Sequence, residues 1–258
     1  MEKQTKIIVN TNQKGGVAKT TTSASLMSGL TKRGFKVLGI DLDSQCNLSY
    51  VVKAAKGDTI RDVFLDDCDI EEAIQNTTFG DFIPSHRSLD NAMNDLNALE
   101  QIYKLSEVLK EVDGKYDYII IDTSPALSPL TMNALISADY VVIPVQPDSF
   151  SLQGAETLAK TINSVKKANP KIKILGVLLV RYKSREALSK LMMEQFEKFA
   201  SILETKVFKT AIREAVAVKE SQLAKESIFD YAKSSGVAED YNNFIDELLS
   251  EVEGDING

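Results

Sequence analysis

The stretch Asn10-Thr11-Asn12-Gln13-Lys14-Gly15-Gly16-Val17-Ala18-Lys19-Thr20-Thr21-Thr22 decides how the rest of the chain is read. It follows the apolar run Ile7-Ile8-Val9, which reads as a buried strand. It precedes Ala24, Leu26, Met27 and Leu30, whose spacing reads as a helix. A glycine-rich turn between strand and helix aims several backbone N–H groups and the positive end of the helix dipole at one point, where a phosphate chain can sit. Gly15, Gly16, Val17, Ala18 and Thr21 are the candidate cradle. Lys19 is placed to reach β- and γ-phosphate oxygens, and the Thr20 hydroxyl to ligate Mg²⁺. The stretch therefore predicts a nucleotide site.

Two acidic segments downstream agree with that reading. Val37-Leu38-Gly39-Ile40 is a short apolar strand running into Asp41-Leu42-Asp43-Ser44-Gln45, and Tyr118-Ile119-Ile120-Ile121 is an aliphatic strand ending in Asp122. Carboxylates just past the carboxyl ends of parallel strands lie where open α/β sheets place their ligands. Acids in such loops also serve as helix caps, so Asp41 and Asp43 carry that second reading too.

The ordinary phosphate-loop pattern is not met, because Gln13 and Ala18 occupy its two glycine positions. Lys14 stands instead as a second lysine, five residues before Lys19. In this the segment closely resembles the deviant Walker A motif of the ParA/MinD ATPases; Ala18 for glycine is a mild departure from it. The resemblance extends along essentially the whole chain, with Asp41 and Asp43 matching the Walker A′ motif and Asp122 the Walker B motif. It implies that Lys14 reaches across a dimer interface to the partner's nucleotide. It ties Asp43 to hydrolysis through the attacking water, gives Asp41 a supporting place in the Mg²⁺ shell, and has Asp122 hold Mg²⁺, usually through water. Thr20, Asp43 and Asp122 are then the metal-side residues, ATP/ADP and Mg²⁺ the cofactors, and Thr123 to Leu130 the switch loop.

Alternating strands and helices predict an α/β fold: a single-domain P-loop NTPase over residues 1–258, with a mostly parallel twisted sheet and helices on both faces. No helix-turn-helix segment is expected ahead of the phosphate loop. By resemblance the chain is expected to be a partition ATPase. ATP would build a homodimer that binds DNA non-specifically, and a ParB-type centromere-binding protein would stimulate slow hydrolysis. Two alternatives from other classes remain: a MinD-like positioning ATPase, and a metabolic ATP-dependent enzyme using the same loop.

Bulk properties bound these readings. The chain has 258 residues, 43% hydrophobic and 26% charged, which fits one α/β domain with a sizeable core. No apolar run reaches the roughly 18 residues of a membrane span and no secretory leader is evident, so the expected place is the cytoplasm, at the nucleoid, without a membrane partner. Cys46 and Cys68 form no CxxC pair, and His86, the sole histidine, reads as a loop residue.

The net charge of −7 argues against a nucleic-acid partner until its distribution is followed. Residues 160–233 hold 16 Lys and Arg against 8 Asp and Glu, while residues 234–258 hold 7 acids and no Lys or Arg. Such a basic island reads equally as a solvated helix face or as a DNA footprint. The family resemblance favours DNA and points to Arg181, Lys183, Arg185, Arg213 and Lys219, although Ala217 replaces a frequent family arginine. The tail carries Phe244, Ile245, Leu248 and Leu249 on one helical face. Its acids have the wrong sign for the basic membrane helix that ends MinD relatives. Between the motifs, Ile60 to Phe64, Ile70 to Ile74 and Leu96 to Val112 are expected to be helices, and Phe82-Ile83-Pro84 a short strand.

Overall fold

A computed structural model describes residues 4–97, 99–147, 152–183 and 190–257. The chain opens with β1 (Lys6–Asn10), the phosphate loop and α1 (Lys19–Lys32), then β2 (Val37–Leu42) and the short helices α2 (Asn47–Val51) and α3 (Ile60–Phe64). A small hairpin follows, β3 (Gln75–Thr77) and β4 (Gly80–Ile83), and then α4 (Leu89–Ala92) and α5 (Glu100–Val108), which ends in a 3₁₀ turn. The remaining core alternates β5 (Tyr118–Thr123), α6 (Pro129–Ser137), β6 (Tyr140–Val145), α7 (Leu152–Val165), β7 (Lys173–Tyr182) and α8 (Lys190–Ile202). The two-residue β8 (Ile212–Arg213) leads into α9 (Val216–Ala224), α10 (Ile228–Tyr231) and the 22-residue α11 (Gly236–Asn257).

The eight strands form one sheet in the order β3-β4-β2-β5-β1-β6-β7-β8, parallel throughout except for the β3–β4 hairpin. Its central strands are aliphatic on both sides because both faces are covered. Val9, Ile119, Ile121, Val141 and Ile143 point to the layer of α3 to α8. Ile8, Ile120, Tyr118 and Val142 point to the layer of α1, α2 and α9 to α11. Gly29 lets α1 and α11 approach closely, since a Cβ there would lie 2.2 Å from the Ile245 side chain.

The expected architecture is present, with local differences. Ile70 to Ile74 is a run of turns rather than a helix: Ile70 and Ala73 are buried, but the segment is too short to repeat the pattern and passes directly into β3. The helix expected from Leu96 begins at Glu100, and β2 runs on through Asp41 to Leu42.

Candidate nucleotide site

Strand register builds the floor of the site. In the parallel ladder Asn10 stands beside Asp122, and Asp122 beside Asp41, so β1, β5 and β2 present one polar row at their carboxyl ends. All three side chains are buried. The phosphate loop arches over this row and enters α1 at Ala18, whose φ of 59° and ψ of 26° lie in the left-handed region. Gly16 also has a positive φ, 78°. The first turn of α1 carries no side-chain cap and no acid, so its N–H groups and dipole remain directed at the loop.

Polar side chains converge beneath the loop. The Thr20 hydroxyl donates to Asp122 Oδ2 at 2.7 Å, and Ser23, one helical turn on, donates to Asp122 Oδ1 at 3.0 Å. Asn10 Nδ2 donates in turn to Ser23 at 3.0 Å. Lys19 is buried and reaches back to the Lys14 carbonyl at 3.1 Å. Burial lowers its pKa, opposed by the charges of Asp122 and Asp43. Burial, and then the neighbouring Asp41, push the Asp122 carboxyl up to about 7, against the hydrogen bonds from Thr20 and Ser23 and the charge of Lys19.

Asp43 and Asp41 have different jobs. Asp43 lies in the loop after β2 and lines the open cavity together with Lys19 and Thr20. Its Oδ1 accepts from the Gln45 amide at 2.9 Å. Asp41 is fully enclosed: Oδ2 accepts from Ser49 N at 2.9 Å and Ser49 Oγ at 2.7 Å, and Oδ1 from Asp43 N at 3.0 Å. Burial still raises it to about 6. Asp41 thus stands behind the cavity and not on its wall. Its oxygens are spent fixing the loop that holds Asp43, and its influence on the site passes through that loop and its charge beside Asp122.

The oxygens of Thr20 and Asp122, with Asp43 on the cavity wall, form a hard-donor set of the kind Mg²⁺ prefers. A buried carboxylate pair with raised pKa values is one that a divalent cation would relieve, so the residues fit that ion. The cavity above them is about 700 Å³ and extends from Gly15 and Lys19 across to the carboxyl ends of β7 and β8 and to α9. Gln222 of α9 donates to Thr21 at 2.9 Å, tying that helix to the start of α1. Lys14 is exposed on the loop.

Of the five cations read as a DNA footprint, the four that are described are not brought together as a free surface. Arg181 donates to Glu214 Oε1 at 2.9 Å and to the Gly16 carbonyl at 3.3 Å, on the wall of the nucleotide cavity. Arg213 forms a two-pronged pair with Asp240, both contacts at 2.7 Å. Lys183 is exposed just beyond β7, and Lys219 lines the cavity from α9. Arg185 lies outside the described residues. The fold thus supplies Arg181 and Arg213 each with a carboxylate partner. Two more cations of the island are matched by α11, which pairs Asp255 with Lys173 and Glu251 with Lys206, while Glu247 accepts from the Lys209 and Thr210 backbone amides at 2.8 and 2.9 Å.

Sequence reasoning also missed Asn10, Ser23 and Ser49 as site residues. Ser23 follows Lys19 by four positions on one helical face, and Asn10 is a polar residue closing an apolar strand, so both left a faint signal. Ser49, Glu214 and Gln222 left none, because distant segments bring them in.

A sequence profile described as an AAA domain matches residues 5–174. The sporulation initiation inhibitor protein Soj of Bacillus subtilis is 37% identical over 95% of this chain and 98% of its own length. The chromosome partitioning protein ParA of Myxococcus xanthus is 32% identical over 95% of this chain and 88% of its own. The chain belongs to the ParA/MinD family. Among solved structures, the septum site-determining protein MinD of Pyrococcus horikoshii complexed with Mg-ADP superposes with a TM-score of 0.78 at 28% identity, covering 95% of this chain and 96% of that one. Cobyrinic acid a,c-diamide synthase of Mycobacterium smegmatis with a bound ATP analogue and magnesium gives a TM-score of 0.81 at 30% identity, with 96% of each chain covered. Among the described residues no helix is long and apolar enough to cross a membrane.

Proposed function

We propose that this chain is an ATP-hydrolysing DNA partition protein that dimerises around ATP, binds duplex DNA without sequence preference and is released when a ParB-type partner stimulates hydrolysis. The observation that carries the reading is the exposed Lys14 on a phosphate loop whose other groups, Lys19, Thr20 and Asp122, converge on one point with Asp43 at the cavity wall. Similarity to Soj and ParA along almost the full length supports the partition role.

In this reading the α1 N–H groups and Lys19 bind the phosphate chain, and Thr20, Asp122 and Asp43 hold Mg²⁺ beside it. Bound there, the ion would neutralise charge developing on the transferred phosphoryl oxygens. Asp43 orients the attacking water, with Asp41 fixing its loop. Lys14 is free to reach a nucleotide held by a second copy. DNA contact falls to Lys183, Arg185 and Lys219 rather than to the carboxylate-bound Arg181 and Arg213.

Gel-shift titrations on random-sequence duplex with ATP, ADP and no nucleotide test the proposal. Binding is expected with ATP alone, and its log K should fall against log salt with a slope of roughly −0.9 for each phosphate neutralised. Absence of ATP-dependent binding at low salt would refute it. The likeness to cobyrinic acid a,c-diamide synthase favours a second reading, ATP-dependent amidation. Glutamine-dependent ATP turnover in the presence of a carboxylic-acid acceptor would move the assignment there.

A further inference from the structure

Arg181 stands out in the geometry of the cavity wall. Val180 pairs with Ile212 and Tyr182 with Arg213, so Arg181 is an extra residue between consecutive pairs of the β7–β8 ladder. Its φ is 56°, in the left-handed region. A bulge of this kind re-aims a side chain, and a strained non-glycine backbone persists only where surrounding contacts over-determine it. Glu214 and the Gly16 carbonyl hold two of the guanidinium nitrogens. With its amide oxygen turned toward Arg181, Gln146 also accepts from Nε at 3.1 Å and Nη1 at 2.9 Å, while its NH₂ donates to Gly16 O at 3.2 Å. A normally mobile side chain is thus pinned as a plane by the residues that follow β6 and β8 and by the phosphate loop, with 38% of it exposed.

Arg181 is far better held than a solvent cation needs to be. The wall around it mixes apolar residues, Val180, Ile212, Ala215 and Val218, with Arg213, Glu214 and Lys219. A ligand whose phosphates sit at the start of α1 leaves its other end for this part of the same cavity, and a largely apolar wall that presents a fixed planar guanidinium suits an aromatic ring. We propose that Arg181 is the platform on which the nucleobase stacks, and that Glu214 and Gln146 are positioning residues that hold its plane. This rests on the nucleotide reading above and adds the base-recognising residue to it. A guanidinium can stack on an aromatic face, whereas a lysine ammonium in the same place has charge but no plane.

Calorimetric titration of the magnesium complexes of ATP, ADP and tripolyphosphate into wild type, Arg181→Ala, Arg181→Lys and Glu214→Gln tests it, since tripolyphosphate has no base to stack. Arg181→Ala is expected to weaken ATP and ADP about tenfold, the scale of one base-stacking contact, and to leave tripolyphosphate within about twofold. Arg181→Lys should lose nearly as much. Glu214→Gln, which keeps the guanidinium but frees it, should lose ATP affinity several-fold with tripolyphosphate unchanged. Wild-type ATP affinity in Arg181→Ala or Glu214→Gln would overturn the proposal. So would a parallel loss of tripolyphosphate that Arg181→Lys restores, because Arg181 would then be a phosphate cation. Wild-type protein that binds tripolyphosphate as tightly as ATP would overturn the platform and leave the phosphate loop standing; binding neither would sink both.

Discussion

Replacing Asp122 with asparagine should stabilise the nucleotide-free protein at alkaline pH while removing its affinity for Mg²⁺. Asp122 is wholly buried, and its pKa is raised from 3.8 to about 7, first by burial and then by the charge of Asp41. A carboxyl group with a raised folded-state pKa stabilises the fold below its unfolded pKa, and that contribution is lost as pH climbs toward the folded value. Stability should therefore decline between about pH 4 and pH 7, with Asp41, raised to about 6, adding to the fall. At 1.36 kcal/mol for each unit, the Asp122 displacement corresponds to about 4 kcal/mol at most. Part of this is offset in the variant because Lys19 loses one of the two carboxylates that favour its charge.

Asparagine fits the hydrogen bonds already present. Ser23 can still donate to the side-chain oxygen, and the new NH₂ can donate to Thr20, whose hydroxyl turns to accept. A net gain of about 2–3 kcal/mol at pH 8 is expected, a rise in Tm of roughly 4–12 °C for a chain of this size, shrinking toward zero at pH 4. Thermal or urea unfolding of both proteins in chelator from pH 4 to pH 8.5 measures it. Parallel stability curves would refute the argument, for they would mean that the buried pair carries no ionisation penalty.

Three further outcomes are expected. Lys19→Ala should abolish nucleotide binding, measured by equilibrium titration with ATP; retained wild-type affinity would remove the phosphate-loop assignment. Asp43→Ala should keep ATP and Mg²⁺ while turnover drops on the order of a hundredfold, and it should accumulate as an ATP-bound dimer; sedimentation as a monomer in saturating ATP would contradict that division of labour. Ala18→Gly should stabilise the protein by about 1 kcal/mol, because a left-handed backbone costs alanine roughly that much and glycine almost nothing, and an unchanged denaturation midpoint would count against stored strain at the loop.

The parts of the fold legible in the sequence are those where one local signal suffices. β1, β2, β5, β6 and β7 are aliphatic runs because two helical layers cover them, and three of them end in residues that announce chemistry. The hairpin strand β3 and the two-residue β8 are too short for a periodic signal, whereas β4 announces its end through Phe82 and Ile83. The end of β2 was misjudged because an acid normally marks a loop, whereas Asp41 remains in the strand with three donors gathered around it. Asp43 and Asp122 were legible because each stands at the carboxyl end of an apolar strand, Asp122 within β5 and Asp43 just past β2. Ser49 and Gln222 were not, because nothing in their own neighbourhoods requires the contacts they make.

The basic island shows why charge counted along the chain misleads about surfaces. Its excess of cations is real in the sequence, yet α11, which holds the seven acids of the last segment, lies against β7 and β8 and returns carboxylates to Lys173, Lys206 and Arg213. That placement is fixed by apolar chemistry. Tyr241, Phe244, Ile245, Leu248 and Val252 are buried along one face of α11, at spacings that force the intervening acids outward toward the sheet edge. Hydrophobic burial sets the position and the ion pairs follow, so screening by salt should loosen the pairs without releasing the helix. The acidic tail is therefore a built-in counter-charge to part of the basic segment, and cations that it does not pair, such as Lys183 and Lys219, stay exposed.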